Sequence, residues 1–389
     1  MAQRIKSRRR KAVEKQAVHY FDYSLLAIII FLMCFGLVML YSISSYEART
    51  EYGDGMYFLK RQGLIGLGSI VAMMWVSRLD YHMFSKYAAM SYWGSMLLLA
   101  LVKFTPLGIE VNGARRWFRL PANQSFQPAE IMKIAVIIFI PYLICRMGNK
   151  VHTLKGSLGV VEWGGLAALG VYVLTDNLSS AIIVMGISCC ILFVVHKKQK
   201  ILLWIAGGGV AVFVAGSYIL GRILENSTSF RLRRIIAWLN PEKYASTISF
   251  QTVQGLYAIG SGGFFGKGLG NGVQKTVIPE VQNDMILSAI CEELGVFGAI
   301  IILVLFGLLI YRLLFIAQNA PDLYGALIMT GIMSHIAIQV ILNVMVVTNM
   351  MPNTGITLPF ISYGGTSILF LMIEMGMALG ISRRIKLEG

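Results

Sequence analysis

The sequence predicts an all-α integral membrane protein with about ten transmembrane helices and two large extracytoplasmic loops. Hydrophobic residues make up 56% of the chain and charged residues 14%, whereas about a quarter of the residues in an average soluble domain are charged. Uncharged apolar runs recur along the whole length, and lysine and arginine gather in the N-terminal segment and in short connections between these runs. Together these features are typical of a polytopic membrane protein.

Ten apolar runs are each long enough, with tilt or kinks, to cross a hydrocarbon core of roughly 30 Å as a helix. The second, third and fifth are short or contain glycine and polar residues. The ten predicted spans are residues 24–43, 64–77, 88–102, 131–145, 163–175, 178–195, 201–220, 285–311, 323–349 and 360–381.

The positions of lysine and arginine predict the orientation. With ten spans, the basic N-terminal segment and the basic short loops all fall on one side, which the positive-inside rule makes the cytoplasm. Both termini are then cytoplasmic, with residues 1–20 as a basic segment, 21–384 as a single membrane domain and 385–389 as a tail. The apolar run after residue 20 is too long for a signal peptide, so we expect a retained first helix.

The formal net charge of +15 does not predict nucleic-acid binding. A basic segment beside a membrane helix is explained by orientation and by attraction to anionic lipids. All five cysteines lie in or beside apolar runs, without metal-ligand spacing. We therefore predict neither disulfides nor a zinc site.

The predicted topology leaves two long segments outside, residues 103–128 and 221–283. Both contain clustered arginines, which suit a ligand with phosphate groups because guanidinium binds phosphate through two parallel hydrogen bonds. The second ends in a glycine-rich run, residues 258–270, followed by Gln274, Lys275 and several carboxylates. These glycines predict either close approach of backbone to a polar ligand or tight turns, and the sequence leaves both open.

Several motifs follow one another along the chain. They are Gly-Ala-Arg-Arg-Trp at 113–117, Gln-Pro-Ala-Glu at 127–130, Asn240-Pro241, the glycine run, Asp284, Glu292-Glu293-Leu294-Gly295, Pro321-Asp322-Leu323 and residues 352–365. In this order they resemble the motifs of the shape, elongation, division and sporulation (SEDS) family. The resemblance extends from about residue 20 to the end and is closer to the division and sporulation branch, FtsW and SpoVE, than to the elongation branch, RodA. The Ser of the family's Gln-Pro-Ser-Glu is Ala129 here, and its Pro-Asp-Leu is represented by Thr175-Asp176-Asn177-Leu178.

This resemblance implies a peptidoglycan glycosyltransferase of the bacterial cytoplasmic membrane. Such an enzyme joins the disaccharide of lipid II to a growing undecaprenyl-linked glycan at the outer face, for cell division or spore cortex synthesis. The resemblance also implies a class B penicillin-binding transpeptidase as partner, along with other divisome or sporulation membrane proteins. No nucleic-acid partner is expected.

Asp284 occupies the position of the family's proposed catalytic aspartate and is our candidate general base in an inverting transfer. The alternative is that its carboxylate only caps the following helix. For the substrate's diphosphate, our candidates are a set of residues in or near the outer loops, which could instead contact lipid headgroups. They are Lys60, Arg61, Arg115, Arg116 and Lys275, with Gln274 beside them. A divalent cation, Mg²⁺ or Mn²⁺, could share this work, although no metal-ligand motif is present.

Glu130, Lys133 and Asp176 are ionisable groups at predicted membrane depth, where charge indicates either function or a buried pair that joins helices. Intramembrane charges would also suit a lipid II transporter, or flippase, which is the alternative function. A transporter should concentrate polar groups at the midplane and show related halves. This sequence instead concentrates them in two outer loops. A third reading, a scaffold for division proteins, leaves Asp284 without a chemical role.

Overall fold

A computed structural model describes residues 20–111, 114–120, 124–200, 207–208, 215–216, 219 and 230–386. Twelve α-helices, which we number in chain order, dominate this part of the chain. They are α1 (Tyr23–Tyr52), α2 (Tyr57–Val76), α3 (His82–Lys86), α4 (Ala88–Phe104), α5 (Pro128–Met147), α6 (Leu154–Thr175), α7 (Leu178–Val195), α8 (Phe230–Leu239), α9 (Phe250–Gly262), α10 (Ile286–Gln318), α11 (Leu323–Val347) and α12 (Thr366–Ser382).

The helices confirm the predicted multi-pass membrane fold. Six of them, α1, α5, α6, α7, α10 and α11, are long and apolar enough to cross a membrane, and α4 and α12 are shorter apolar helices. Nine of the ten predicted spans coincide with a helix, α2 among them, which carries two basic residues near its N-terminus. The predicted seventh span, residues 201–220, lies mostly outside the described residues. So do most of the N-terminal segment, 1–20, and of the C-terminal tail, 385–389.

The first long loop folds into a small antiparallel sheet that the sequence did not predict. Its strands are β1 (Gly108–Val111), β2 (Ala114–Leu120) and β3 (Gln124–Phe126), in the order β1-β2-β3. Phe118 and Phe126 face each other across β2 and β3, with ring centroids 6.0 Å apart. The sheet leads into α5, whose first residue, Pro128, suits a helix start because proline has no amide hydrogen to donate.

Two further differences concern the second long loop and the helix after it. The loop contains α8 and α9, and the predicted continuous span 285–311 is interrupted within α10. Gly295 has φ 72° and ψ −178°, which is not helical. The glycine-rich run packs into this break, where the amides of Lys267 and Gly268 donate to the carbonyls of Glu292 and Glu293 at 2.9 Å.

The helices alternate in direction, so the bundle has two ends, which we name the Asp284 end and the Asp22 end. At the Asp22 end, Asp22 is fully buried and pairs with Arg312 at 2.7 Å. Asp80, between α2 and α3, pairs with Arg384 after α12 at 2.6 Å. At this end, one ion pair therefore joins the start of α1 to α10, and the other joins the end of α2 to the end of α12.

Candidate functional site

Asp284 lies in the loop just before α10 and is held there by α11. The Asn343 side-chain amide donates to the backbone carbonyl of Asp284 at 2.9 Å and to that of Ile356 at 2.7 Å. Asn343 thereby joins the loop that carries Asp284 to the loop between α11 and α12. The nearest carboxylate oxygen of Asp284 is 4.0 Å from the position that a side-chain carbon on Gly355 would occupy. The carboxylate therefore faces a glycine on the neighbouring loop.

The surroundings of Asp284 raise the pKa of its carboxyl group. Burial is the largest cause, and the negative charge of Glu280 acts in the same direction. The positive charge of Arg234 and the backbone amides of Asp284 and Met285 act in the opposite direction. Neither amide is a capping contact to α10, because the N-cap residue of that helix is Met285 and no side chain caps it. The structure therefore does not support the alternative that the Asp284 carboxylate only caps α10.

Arg234 on α8 is the cation that lies within electrostatic reach of Asp284. Burial lowers the pKa of Arg234, the charge of Arg116 lowers it further, and the charge of Asp284 raises it. The guanidinium also donates to the carbonyl of Asn353 at 3.1 Å. The sequence placed Arg234 in a basic cluster of the outer loop, but it was not among the candidate binding residues.

Arg116 projects from β2 to the turn between α6 and α7. Its guanidinium donates to the carbonyls of Thr175 at 3.3 Å and Asp176 at 3.0 Å. These are the last carbonyls of α6, which lack helical partners. Asp176 has a positive φ of 52° and ends that helix, and Asn177 caps α7 through the amide of Ser180. Arg116, Arg234 and Asp284 are thus brought together by three separate segments.

A cavity of about 250 Å³ opens beside Arg234. Trp238 lines it and donates through its indole nitrogen to the carbonyl of Asn349 at 3.0 Å. Gln251, Asn353 and the hydroxyl-bearing residues Thr247, Ser249 and Thr252 contribute amide and hydroxyl groups. An aromatic ring beside amides and hydroxyls suits a hydroxyl-rich ligand such as a sugar.

Lys60 and Arg61, at the N-terminal end of α2, lie at the same end of the bundle. The Lys60 ammonium pairs with Asp54 at 2.7 Å, and both groups are exposed. Arg61 donates to the hydroxyl of Tyr57 at 3.1 Å and is close enough to Tyr363 to lower its pKa, which burial raises. The Tyr363 amide donates to the carbonyl of Gln282, two residues before Asp284.

Arg115, next to Arg116 on β2, pairs with Glu110 at 3.3 Å, and both side chains are exposed. Successive side chains on a strand point to opposite faces, so the two arginines have different surroundings. Arg116 is the one that reaches the turn beside Asp176.

Lys275 and Gln274 lie in a polar cluster against α10. The nearly buried Lys275 ammonium pairs with Glu293 at 2.9 Å and donates to the carbonyls of Gly270 and Ser42. The backbone amide of Gln274 donates to the Glu292 carboxylate at 3.0 Å. Both residues join the glycine-rich run to α10 and α1 in this structure, and their contact with a diphosphate remains a prediction.

Glu130 and Lys133 form a buried ion pair of 2.7 Å within the first two turns of α5. The sequence left open whether these two charges have a function or form a buried pair, and the structure shows the pair. Among the described residues, no group of three His, Cys, Asp or Glu side chains is arranged to hold a metal ion. The divalent cation therefore remains a prediction.

Comparison with known proteins gives the same family along almost the whole chain. The family described as cell cycle protein, which comprises FtsW, RodA and SpoVE sequences, matches residues 23–387. A probable peptidoglycan glycosyltransferase FtsW from Trichlorobacter lovleyi is 37% identical over 368 residues, which are 94% of each protein. Stage V sporulation protein E of Bacillus subtilis is 35% identical over 367 residues, 93% of this chain and 97% of its own.

Solved structures share the fold. One, described as "Structural coordination of polymerization and crosslinking by a peptidoglycan synthase complex", contains a chain that superimposes with a TM-score of 0.75 at 25% identity. The match covers 93% of this chain and 98% of that one.

Proposed function

This chain belongs to the family of FtsW, RodA and SpoVE, and from that premise we propose that it is a peptidoglycan glycosyltransferase that polymerises lipid II. It is a multi-pass membrane enzyme of the division and sporulation branch. The single observation that carries the assignment to this site is the convergence of Asp284, Arg234 and Arg116 at one end of the bundle. A base and two cations are the groups that this transfer requires.

In the proposed reaction, the acceptor hydroxyl attacks the anomeric carbon of the donor sugar. Its proton passes to the Asp284 carboxylate, while the bond from the anomeric carbon to the diphosphate oxygen breaks and its electron pair leaves with undecaprenyl diphosphate. One displacement without a covalent intermediate inverts the anomeric carbon and converts an α-linked donor into a β-linked glycan. The raised pKa of Asp284 makes it a stronger base than an ordinary aspartate.

Negative charge gathers on the leaving diphosphate, and Arg234 and Arg116 are the nearest candidates to stabilise it. The cavity beside Trp238 supplies a place for a sugar ring. By the positive-inside rule, the Asp284 end faces outward and both termini are cytoplasmic. The transpeptidase partner is supported by the peptidoglycan synthase complex that contains a chain of the same fold.

The test is polymerisation of fluorescent lipid II by the purified protein in detergent, with and without a class B transpeptidase and with Mg²⁺ or Mn²⁺ supplied. We expect the wild type to make long glycan and Asp284→Asn to make almost none, because an amide of nearly the same size cannot accept the proton. The matched control is Glu242→Gln, which removes an exposed carboxylate of the same outer segment and should leave product length unchanged.

Two outcomes would reject the proposal. If Asp284→Asn polymerises at close to the wild-type rate while folded, Asp284 is not the base. If the wild type makes no glycan under these conditions but moves lipid II across liposome membranes, the transporter reading replaces the transferase. The observed Glu130–Lys133 pairing does not favour transport, because each charge already has its partner.

A further inference from the structure

A second cavity, of about 620 Å³, lies at the Asp22 end of the bundle, away from the Asp284 site. It is formed where the start of α1 meets the ends of α2 and α12. Its lining combines three arginines with apolar side chains. The arginines are Arg78, Arg383 and Arg384, and the apolar residues are Phe21, Tyr23, Leu26, Met74 and Leu79.

The two kinds of lining residue occupy different depths. Arg78 follows the last turn of α2, and Arg383 and Arg384 follow the last turn of α12, so the three guanidinium groups lie at the helix ends. Leu26 and Met74 belong to the terminal turns of α1 and α2, on the membrane side of those ends. The cavity is therefore cationic toward the headgroup level and apolar toward the hydrocarbon.

Among the residues that the structure describes, the carboxylates beside this cavity are already engaged. Asp22 is fully buried and paired with Arg312, and Asp80 is shared by Arg384 and His82. Arg383 stacks over Phe21 with its guanidinium carbon 4.8 Å from the ring centroid, which orients it along the cavity wall. Three arginines against one exposed carboxylate leave the lining positively charged.

We propose that this cavity binds one anionic phospholipid of the inner leaflet, with its phosphate at Arg78, Arg383 and Arg384 and its acyl chains beside Leu26 and Met74. Charge complementarity selects this occupant, since basic pockets between transmembrane helices on the cytoplasmic side suit anionic headgroups. The chain's own N-terminal segment is an unsuitable occupant because it is itself basic, with seven Lys or Arg residues among its first fifteen. The choice of the inner leaflet rests on the orientation given under the proposed function. The presence of a lipid site in this cavity does not depend on that orientation.

The test is native mass spectrometry of delipidated protein in a neutral detergent, titrated with phosphatidylglycerol or phosphatidylcholine of the same acyl chains. We expect one phosphatidylglycerol to be retained per chain and phosphatidylcholine to be displaced readily. Removing a basic residue near a headgroup costs roughly fivefold in affinity. The double variant Arg78→Gln/Arg383→Gln should therefore bind phosphatidylglycerol roughly 25-fold more weakly.

The matched control is Arg146→Gln/Lys150→Gln, which removes one charge from the last turn of α5 and one from the connection that follows it at the same end, and it should bind like the wild type. Arg78→Glu, at an exposed position, serves as a second variant if the double variant unfolds. Equal retention of phosphatidylglycerol by wild type and folded cavity variants would overturn the proposal, and so would competition by millimolar inorganic phosphate alone. Because the readout is bound lipid, loss of binding is distinguishable from loss of polymerisation at Asp284.

Discussion

Asp284 lies near groups of opposite charge, and their opposing effects on its pKa determine how strong a base its carboxylate is. Glu280 raises the pKa of the Asp284 carboxyl group together with burial, and Arg234 lowers it. A carboxyl group with an ordinary pKa near 4 is a weak base, so the raised pKa favours proton abstraction near neutral pH. In the proposed reaction the same arginine would also stabilise the leaving diphosphate.

This balance predicts a change in the pH dependence of polymerisation. The base must be ionised, so activity rises as pH increases through the pKa of Asp284. Glu280→Gln removes a negative charge that raises this pKa, while an amide can still bond to Asn283, which donates to Glu280 at 3.0 Å. We therefore expect the acidic limb of the rate profile to move to lower pH.

Measurement of glycan formation from pH 4 to 8 for wild type, Glu280→Gln and the control Glu242→Gln checks this shift. The control should follow the wild-type profile, because Glu242 is not among the groups that shift the Asp284 pKa. An unchanged limb in Glu280→Gln would contradict the assignment of Asp284 as the titrating base.

At this scale the sequence predicts Asp284 and Arg116 through motif resemblance but does not identify Arg234. The position of Arg234 depends on how α8 packs on the loop after α11, where Trp238 and Arg234 both donate to loop carbonyls. That packing is a tertiary contact across more than a hundred residues, and a single sequence does not encode it as a local pattern.

At the scale of elements, the glycine-rich run, residues 258–270, packs into the break of α10 at Gly295. We call this contact the joint. A side-chain carbon on Gly266 would lie 2.2 Å from the carbonyl oxygen of Glu293, and one on Gly295 would lie 2.2 Å from that of Phe264. The amides of Val296 and Phe297 donate to the run in return. At these positions glycine permits backbone to approach backbone, which favours the tight-packing alternative over ligand approach.

The joint also contains two ion pairs. Lys267 pairs with Glu292 at 2.7 Å and Lys275 with Glu293 at 2.9 Å, and both carboxylates are buried. The sequence showed glycine, lysine and carboxylate in one region but not which groups met. A helix break is hard to predict from composition, because the apolar pattern of 285–311 continues through Gly295, and the hydrogen bonds and ion pairs that stabilise the interruption come from residues distant in the sequence.

Gly295→Ala tests the joint. Its φ of 72° with ψ near 180° is a conformation that only glycine adopts readily, and the added carbon would also meet the Phe264 carbonyl. We expect the free energy of unfolding to fall by about 1–3 kcal/mol or more, seen as a lower thermal midpoint in detergent. Gly260→Ala is the control, since Gly260 is exposed within α9 and has no neighbouring atom within 4 Å of an added carbon.

The control should be neutral or slightly stabilising, because alanine favours helix more than glycine does. If both variants melt like the wild type, the break in α10 does not depend on glycine. A lower midpoint in Gly295→Ala alone would support the joint.

Over the whole molecule, the two ends of the bundle differ in how their polar groups are arranged. The Asp284 end gathers loops, a small sheet and two additional helices, and α8, α9 and neighbouring loops line a cavity there. At the Asp22 end, ion pairs join Asp22 to Arg312 of α10 and Asp80 to Arg384. The alternation of apolar runs and basic loops predicts this two-ended bundle, because the length and apolar composition of a run are enough to predict a membrane-spanning helix. The sheet was not predicted, because three short strands in a polar loop carry little periodicity.

At the Asp22 end, His82 lies between Asp80, at 2.8 Å, and Asp322, at 2.6 Å, and so connects α3 to the start of α11. Burial disfavours the charged imidazolium, but the hydrogen bonds and charges of these two carboxylates raise the pKa of His82 overall. Partial desolvation raises the pKa of the exposed Asp80, but its hydrogen bonds to His82 and Arg384 lower it to about 2, and the pKa of Asp322 is also lowered. Both aspartates therefore stay ionised above pH 6 in the folded and unfolded states, and only His82 titrates there.

This arrangement predicts how stability depends on pH. Because the folded pKa of His82 is raised, its contribution is fully present below the unfolded value of about 6.5 and is lost as pH rises through the folded pKa. We expect the difference in thermal midpoint between wild type and His82→Gln to shrink from pH 6 to pH 9, since glutamine bonds but does not titrate. A His82→Gln difference that is constant across the range would mean that the imidazolium does not join α3 to α11 through its charge.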